Sequence, residues 1–134
     1  MSKTTLRVEP PPEIAVTVAP VGRFDSHSGT ATVSGTFFCS GTAEFVELFG
    51  DMEQRAGRFF VRGFFSLFGE GEDPPDQQLL CDGTTQAWTA EVHPDNGLFK
   101  GGNATVEMFI LACGFFDCSE EVVEQQIRLS GRRR

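Results

Sequence analysis

The sequence predicts an all-β fold, an antiparallel β-sandwich of about seven or eight strands stapled by two disulfides. Apolar residues recur with a period of two along most of the chain, and a period of 3.6 is almost absent. Clusters of Gly, Pro, Asn and Asp separate these runs at short intervals. Four cysteines in 134 residues suit a small domain cross-linked in an oxidising compartment. The same strands could close into a small barrel, which is the alternative architecture.

Residues 1–12 read as an extended lead-in, because Pro10-Pro11-Pro12 cannot join a central ladder. A single domain follows over 13–130, and 131–134 is a basic tail. Glu13–Ala19 alternates Ile14, Val16 and Val18 against Ala15, Thr17 and Ala19. Thr30–Ser40 sets Ala31, Val33, Gly35, Phe37 and Cys39 on one face and threonines and serine on the other, which aims Cys39 at the core. Glu44–Met52 places Val46, Leu48 and Met52 inward, with Phe45, Glu47, Phe49 and Asp51 opposite.

After Ala56-Gly57, Arg58–Phe68 turns Phe59, Val61, Phe65 and Leu67 one way and Phe60, Arg62, Phe64 and Phe68 the other. Gln77–Cys81 is a short strand that puts Leu79 with Cys81 and ends at Asp82-Gly83. Ala87–Val92 buries Trp88, Ala90 and Val92. Pro94-Asp95-Asn96-Gly97 is a turn, since Asn-Gly tolerates the positive φ of a tight reversal. Asn103–Ala112 aligns Ala104, Val106, Met108 and Ile110. Glu121–Leu129 aligns Val123, Ile127 and Leu129, with Gln125 interrupting that face.

Charge narrows the partners. Eleven Lys and Arg against 19 Asp and Glu give −8, and three of the cations are the terminal Arg132, Arg133 and Arg134. Without those three the remainder stands at −11, so nucleic acid is not an expected partner. No uncharged apolar run approaches the roughly 20 residues that span a bilayer as a helix.

Cys113 and Cys118 enclose four residues that a hairpin could staple, which leaves Cys39 for Cys81; other pairings and free thiols are the alternatives. Chain-entropy arithmetic assigns about 2 kcal/mol to the short loop and about 4 kcal/mol to the long one. Disulfides imply export, yet Met1–Leu6 has no apolar stretch of the kind a signal peptide needs. A secreted or cell-surface protein whose signal has been removed is expected. An intracellular product oxidised later, such as a virion decoration protein, is the other route.

Gly35-Thr36-Phe37-Phe38-Cys39-Ser40, Cys81-Asp82-Gly83 with Trp88-Thr89-Ala90, and Gly101-Gly102-Asn103-Ala104-Thr105-Val106 resemble segments of uncharacterised immunoglobulin-like domains of secreted actinobacterial proteins. The likeness runs over residues 14 to 129 and includes a short Cys…Cys hairpin like Cys113–Cys118. It implies an immunoglobulin-like sandwich and export, and no assigned chemistry. Trp88 follows the second cysteine of the long pair, so the domain is not of the antibody type. The Cys113–Cys118 loop is also similar to one cystine loop of the neocarzinostatin family, but that family's other short loop is missing here, and chromophore binding does not carry over.

Asp25-Ser26-His27-Ser28 contains the residue types of a hydrolase triad, but consecutive side chains cannot assemble the relay. His27 and His93 read as solvated turn residues, and bridged cysteines are not nucleophiles. No glycine-rich phosphate loop or metal-binding His pair occurs. No enzyme and no cofactor are expected. Glu70, Glu72, Asp73 and Asp76 gather oxygen ligands of the kind Ca²⁺ takes, without the spacing of an EF-hand, and read first as a solvated acidic loop. Asn103-Ala104-Thr105 is a glycosylation sequon.

The 14 Phe, beside one Trp and no Tyr, carry the functional expectation. Phe45, Phe49, Phe60, Phe64 and Phe68 fall on solvent faces of two neighbouring strands, and Phe115 and Phe116 sit at the tip of the stapled hairpin. Such clusters mark contacts or ligand grooves unless a second layer covers them. The expected role is a non-enzymatic structural or binding module, acting through these Phe-rich strands on copies of itself (a homo-oligomer) or on another protein. A carrier with a Phe-lined cleft for an apolar small molecule is the alternative.

Overall fold

The computed structural model describes residues 12–41, 43, 45–68, 79, 81–114 and 117–131, with Phe68 described by its backbone alone. Strand makes up 74% of them and none is helical. The strands are β1 (Glu13–Val18), β2 (Val21–Phe24), β3 (Ala31–Ser40), β4 (Phe45–Ala56), β5 (Phe59–Phe68), β6 (Thr85–Pro94), β7 (Gly102–Cys113) and β8 (Cys118–Gly131). No helix among the described residues is long and apolar enough to cross a membrane.

The order β1-β3-β2-β8-β7-β4-β5-β6, with β6 returning to β3, makes one continuous sheet. It closes into a seven-strand barrel with β1 as an extra strand on β3, where the sequence led us to expect a sandwich. Closure rests on short pairings that periodicity does not encode. β5 meets β6 only through Gly63↔Pro94 and Phe64↔His93, and β2 meets β3 only through Arg23↔Thr32 and Phe24↔Ala31. β2 itself was not legible, because its four residues Val-Gly-Arg-Phe are too few to display alternation.

Alternation holds elsewhere. Val16 and Val18, Val33 and Phe37, Val46, Leu48 and Met52, Val61 and Leu67, Val106, Met108 and Ile110, and Ile127 and Leu129 all point into one apolar core. Phe65 stacks on Trp88 with ring centroids 6.0 Å apart, and the Trp88 Nε1–H donates to the carbonyls of Thr17 (3.1 Å) and Thr36 (3.2 Å). Room for the Phe65 ring exists because Gly50, across from it in the β4–β5 register, has no side chain; a Cβ there would fall inside the ring's envelope.

Both expected disulfides are present, Cys39–Cys81 and Cys113–Cys118, and no described cysteine is free. Of the expected strand Gln77–Cys81, only Leu79 and Cys81 lie among the described residues, and neither is in a strand; Leu79 is nevertheless buried. The long bond ties β3 to the segment before β6, and the short one bridges the paired ends of β7 and β8. Replacing Cys113 and Cys118 together by Ser should cost about 2 kcal/mol in denaturant unfolding, and the Cys39–Cys81 pair about 4 kcal/mol. Equal losses for the two would show that loop length does not govern the effect.

Asn96-Gly97 forms the expected turn, but its flanking strands are not neighbours: β6 ends on one side of the barrel and β7 starts on another. The crossing segment drops Phe99 into the core and is held by Gln54, a buried polar side chain in an apolar run. The Gln54 amide donates to the Lys100 carbonyl at 2.8 Å and its oxygen accepts from the Lys100 N–H, also at 2.8 Å. Gln54→Leu leaves both Lys100 groups unpaired, and chemical denaturation should show a loss of about 1–3 kcal/mol. An unchanged midpoint would mean that the crossing is held by Phe99 alone.

Candidate functional site

Four consecutive strands, β5-β4-β7-β8, present one outer face whose composition follows from register. Each β4 residue has fixed partners on both sides: Phe49 lies opposite Ser66 on β5 and Phe109 on β7, and Phe109 lies opposite Val122 on β8. The result is a row, Ser66-Phe49-Phe109-Val122, running straight across the sheet. Phe49 is 41% exposed, Val122 62%, and Phe64, diagonal to Phe49 on β5, 63%. Phe49, Phe64, Phe109 and Val122 line an open groove of about 350 Å³ floored by Gly50 and Met108.

Carboxylates flank this row on both sides. One step toward the disulfide hairpin, Glu47, Leu111 and Glu120 form the next row; one step the other way come Phe64, Asp51, Glu107 and Glu124. Arg62, on the same face, is held by Glu53, 2.7 Å away across β4–β5. Arg55 lies over the Phe60 ring at 5.8 Å. The apolar row is therefore bordered by five carboxylates, none of which forms an ion pair among the described residues.

Asp51 sits at the wall of the groove. Partial burial raises its pKa, the Glu53 charge adds to the rise, and Arg62 opposes it. A carboxyl whose native pKa exceeds its unfolded one penalises folding above the native value, and the penalty disappears below the unfolded value near 3.8. Asp51→Asn should therefore raise the melting temperature at pH 7 and leave it unchanged near pH 3. A gap of equal size at both pH values would show that the substitution acts through packing.

Of the expected contact residues, the structure brings Phe45, Phe49, Phe60 and Phe64 onto this outer side, all exposed. The Phe68 side chain and Phe115 and Phe116 lie outside the described residues, as do Glu70, Glu72, Asp73 and Asp76. Phe59 departs from expectation: its parity is inward, yet it is 74% exposed, because at the β4–β5 turn no opposing strand reaches it. Phe109 and Val122 complete the row and were not foreseen, since only the cross-strand registers place them beside Phe49.

The Asp25-Ser26-His27-Ser28 segment folds on itself. The Asp25 carboxylate accepts from the His27 N–H (2.7 Å) and the Ser28 N–H (3.4 Å), which lowers its pKa and closes a local turn. His27 and His93 both line one open cleft of about 730 Å³, and His93 Nδ1 lies 3.3 Å from Thr30 Oγ1. Both imidazoles stand in solvent. Among the described residues no His, Cys, Asp or Glu side chains gather into a metal-holding group.

No family model matches this sequence, and comparison with curated proteins returns no match. Among solved structures, the periplasmic chaperone SfaE superposes with a TM-score of 0.35 at 10% identity, over 89% of this chain. The chain spans 58% of that protein's length.

Proposed function

We propose that this protein is a non-enzymatic binding module whose β5-β4-β7-β8 face docks a protein partner carrying apolar and basic side chains. The carrying observation is the row Phe49-Phe109-Val122, exposed at Phe49 and Val122 and half-buried at Phe109, with exposed Phe64 beside it and carboxylates without ion-pair partners on both sides. Dry apolar area supplies the affinity of such a surface, and the flanking charge sets orientation and selectivity. The absence of Tyr supports an apolar contact over a hydrated recognition surface.

Self-association through the same face is disfavoured by charge. A two-fold that stacked two such rows would set Glu47 and Glu120 of one copy against Asp51, Glu107 and Glu124 of the other. The carrier reading rests on the groove beside Phe49, which is open to solvent and holds carboxylates on its wall. The two disulfides favour an exported module acting in an oxidising compartment. The narrow seams at β2–β3 and β5–β6 favour reading the barrel as two layers, in keeping with immunoglobulin-like domains of secreted actinobacterial proteins.

Two synthetic peptides test the proposal, one alternating Lys with Leu and one alternating Glu with Leu, titrated against the full chain by calorimetry. The basic peptide should bind and the acidic one should not. Phe49→Ser with Phe64→Ser should weaken binding at least tenfold, with a melting temperature close to wild type because both side chains are exposed. Affinity should fall as pH drops through the raised Asp51 pKa, where one flanking charge is lost before ordinary carboxylates titrate. Equal affinity for both peptides, or binding indifferent to the Phe substitutions, overturns the assignment.

A further inference from the structure

The described residues include six Lys and Arg, and three of them, Arg55, Arg58 and Arg62, belong to the β4–β5 hairpin. From residue 53 to residue 62 the hairpin carries one carboxylate, Glu53, and Arg62 engages it at 2.7 Å. The crossing segment packed alongside adds one charge of each sign, Asp95 and Lys100. In a chain of net charge −8, this hairpin is where the described positive charge gathers.

The same hairpin exposes apolar surface at its apex. Ala56 pairs with Phe59, so Gly57 and Arg58 alone make the turn, and Gly57 takes the positive φ (66°) that a two-residue reversal needs. Phe59 is 74% exposed and Phe60 45%. A Cβ placed on Gly57 would meet nothing within 4 Å, so the apex stands clear of the other described residues. Arg55 lies over the Phe60 ring, and its Nε–H donates to the Gly57 carbonyl at 3.2 Å. A turn this short and braced loses little conformational freedom when it docks.

The layout of the apex complements the groove on the outer face. On β4, Glu47 and Asp51 stand two residues to either side of Phe49, about 13 Å apart at strand rise. On the hairpin, Arg58 and Arg62 stand two residues to either side of Phe60, with Arg55 opposite it. The spacing is the same and the charges are opposite. A phenyl ring placed among Phe49, Phe64, Phe109 and Val122 gains apolar contact, and the arginines beside it meet carboxylates that form no ion pair among the described residues. Arg62 is still 59% exposed while it holds Glu53, and its guanidinium has donors left for a second carboxylate. The apex cannot reach its own groove. Arg55, level with Phe60, is six residues along β4 from Phe49, about 20 Å, and a tight hairpin continuous with the sheet does not fold back.

We propose that the partner of the outer face is a second copy of this chain, whose β4–β5 apex inserts Phe60 into the groove beside Phe49. The proposal rests on the binding-module reading above and names the partner. Joining two different surfaces avoids the approach of carboxylates to carboxylates that stacked rows would force.

Sedimentation velocity of the full chain over a concentration series tests it. Wild type should associate as concentration rises, and less so in high salt. Phe59→Ser/Phe60→Ser, Arg58→Glu and Phe49→Ser/Phe64→Ser should each weaken association at least tenfold. Mixing the two double variants should give a one-to-one complex, because one keeps an intact groove and the other an intact apex. The alternating Lys-Leu peptide should compete with association, since it takes the same groove. A monomer at every concentration overturns the proposal, as does failure of the mixed variants to associate. Peptide binding at the groove without self-association overturns this assignment and leaves the binding-module reading standing, whereas loss of peptide binding as well removes both. Binding to anionic vesicles that Phe59→Ser/Phe60→Ser abolishes, in a chain that stays monomeric, assigns the apex to a membrane surface and overturns the proposal too.

Discussion

Everything distinctive about this molecule depends on one constraint: in a continuous sheet, consecutive side chains must take opposite faces. Once Val46, Leu48 and Met52 are committed to the core, Phe45, Phe49 and Asp51 have no choice but to face out. The inner volume of a seven-strand barrel is finite and already holds Phe37, Phe65, Phe99 and Trp88. Gly50 is part of the same accommodation, since removing a Cβ beneath Phe65 lets one more ring inside. The surplus phenylalanines are thus displaced outward by geometry, and register gathers four apolar side chains into one patch.

That patch borders carboxylates for the same reason. Glu47, Asp51, Glu107, Glu120 and Glu124 occupy outward positions one step on either side of the apolar row. Solubility alone would be served by charge of either sign, mixed with its opposite. Here two arginines of the same strand pair are engaged elsewhere, Arg62 with Glu53 and Arg55 over Phe60, and none of the border carboxylates forms an ion pair among the described residues. On the proposed reading, an apolar strip with such a border would repel a second copy of the same face and admit a basic partner.

The alternation of most strands was legible in the sequence because it depends on one residue and its second neighbours. The cores of β4, β6 and β7 follow from that alone. What depended on more distant relations was not legible. β2 is too short to show a period, and barrel closure rests on two-residue seams. Gln54 looks like a break in an apolar run until the Lys100 backbone arrives across the barrel to meet it. Phe59 follows the period and still faces solvent, since alternation says which side a residue takes and nothing about whether that side is covered there. The Phe row itself was half legible: the sequence places Phe49 and Phe64 outward, but Phe109 and Val122 join them only through sums of register.

β8 closes the outer face, and the pattern of its side chains lets one strand both end the apolar row and border it. Its outward side chains alternate acid and apolar, Glu120, Val122, Glu124, so Val122 closes the Phe row while the two glutamates border it. The backbone of the same residues points sideways, at right angles to those side chains, and its hydrogen-bonding capacity is independent of what sits on the face. The first strand runs beside that backbone edge, from the Ser119–Pro12 contact to the Arg128–Pro20 contact. On the proposed reading β8 would therefore meet a partner through its outward side chains, Val122 supplying apolar contact and Glu120 and Glu124 the charge that selects for cations.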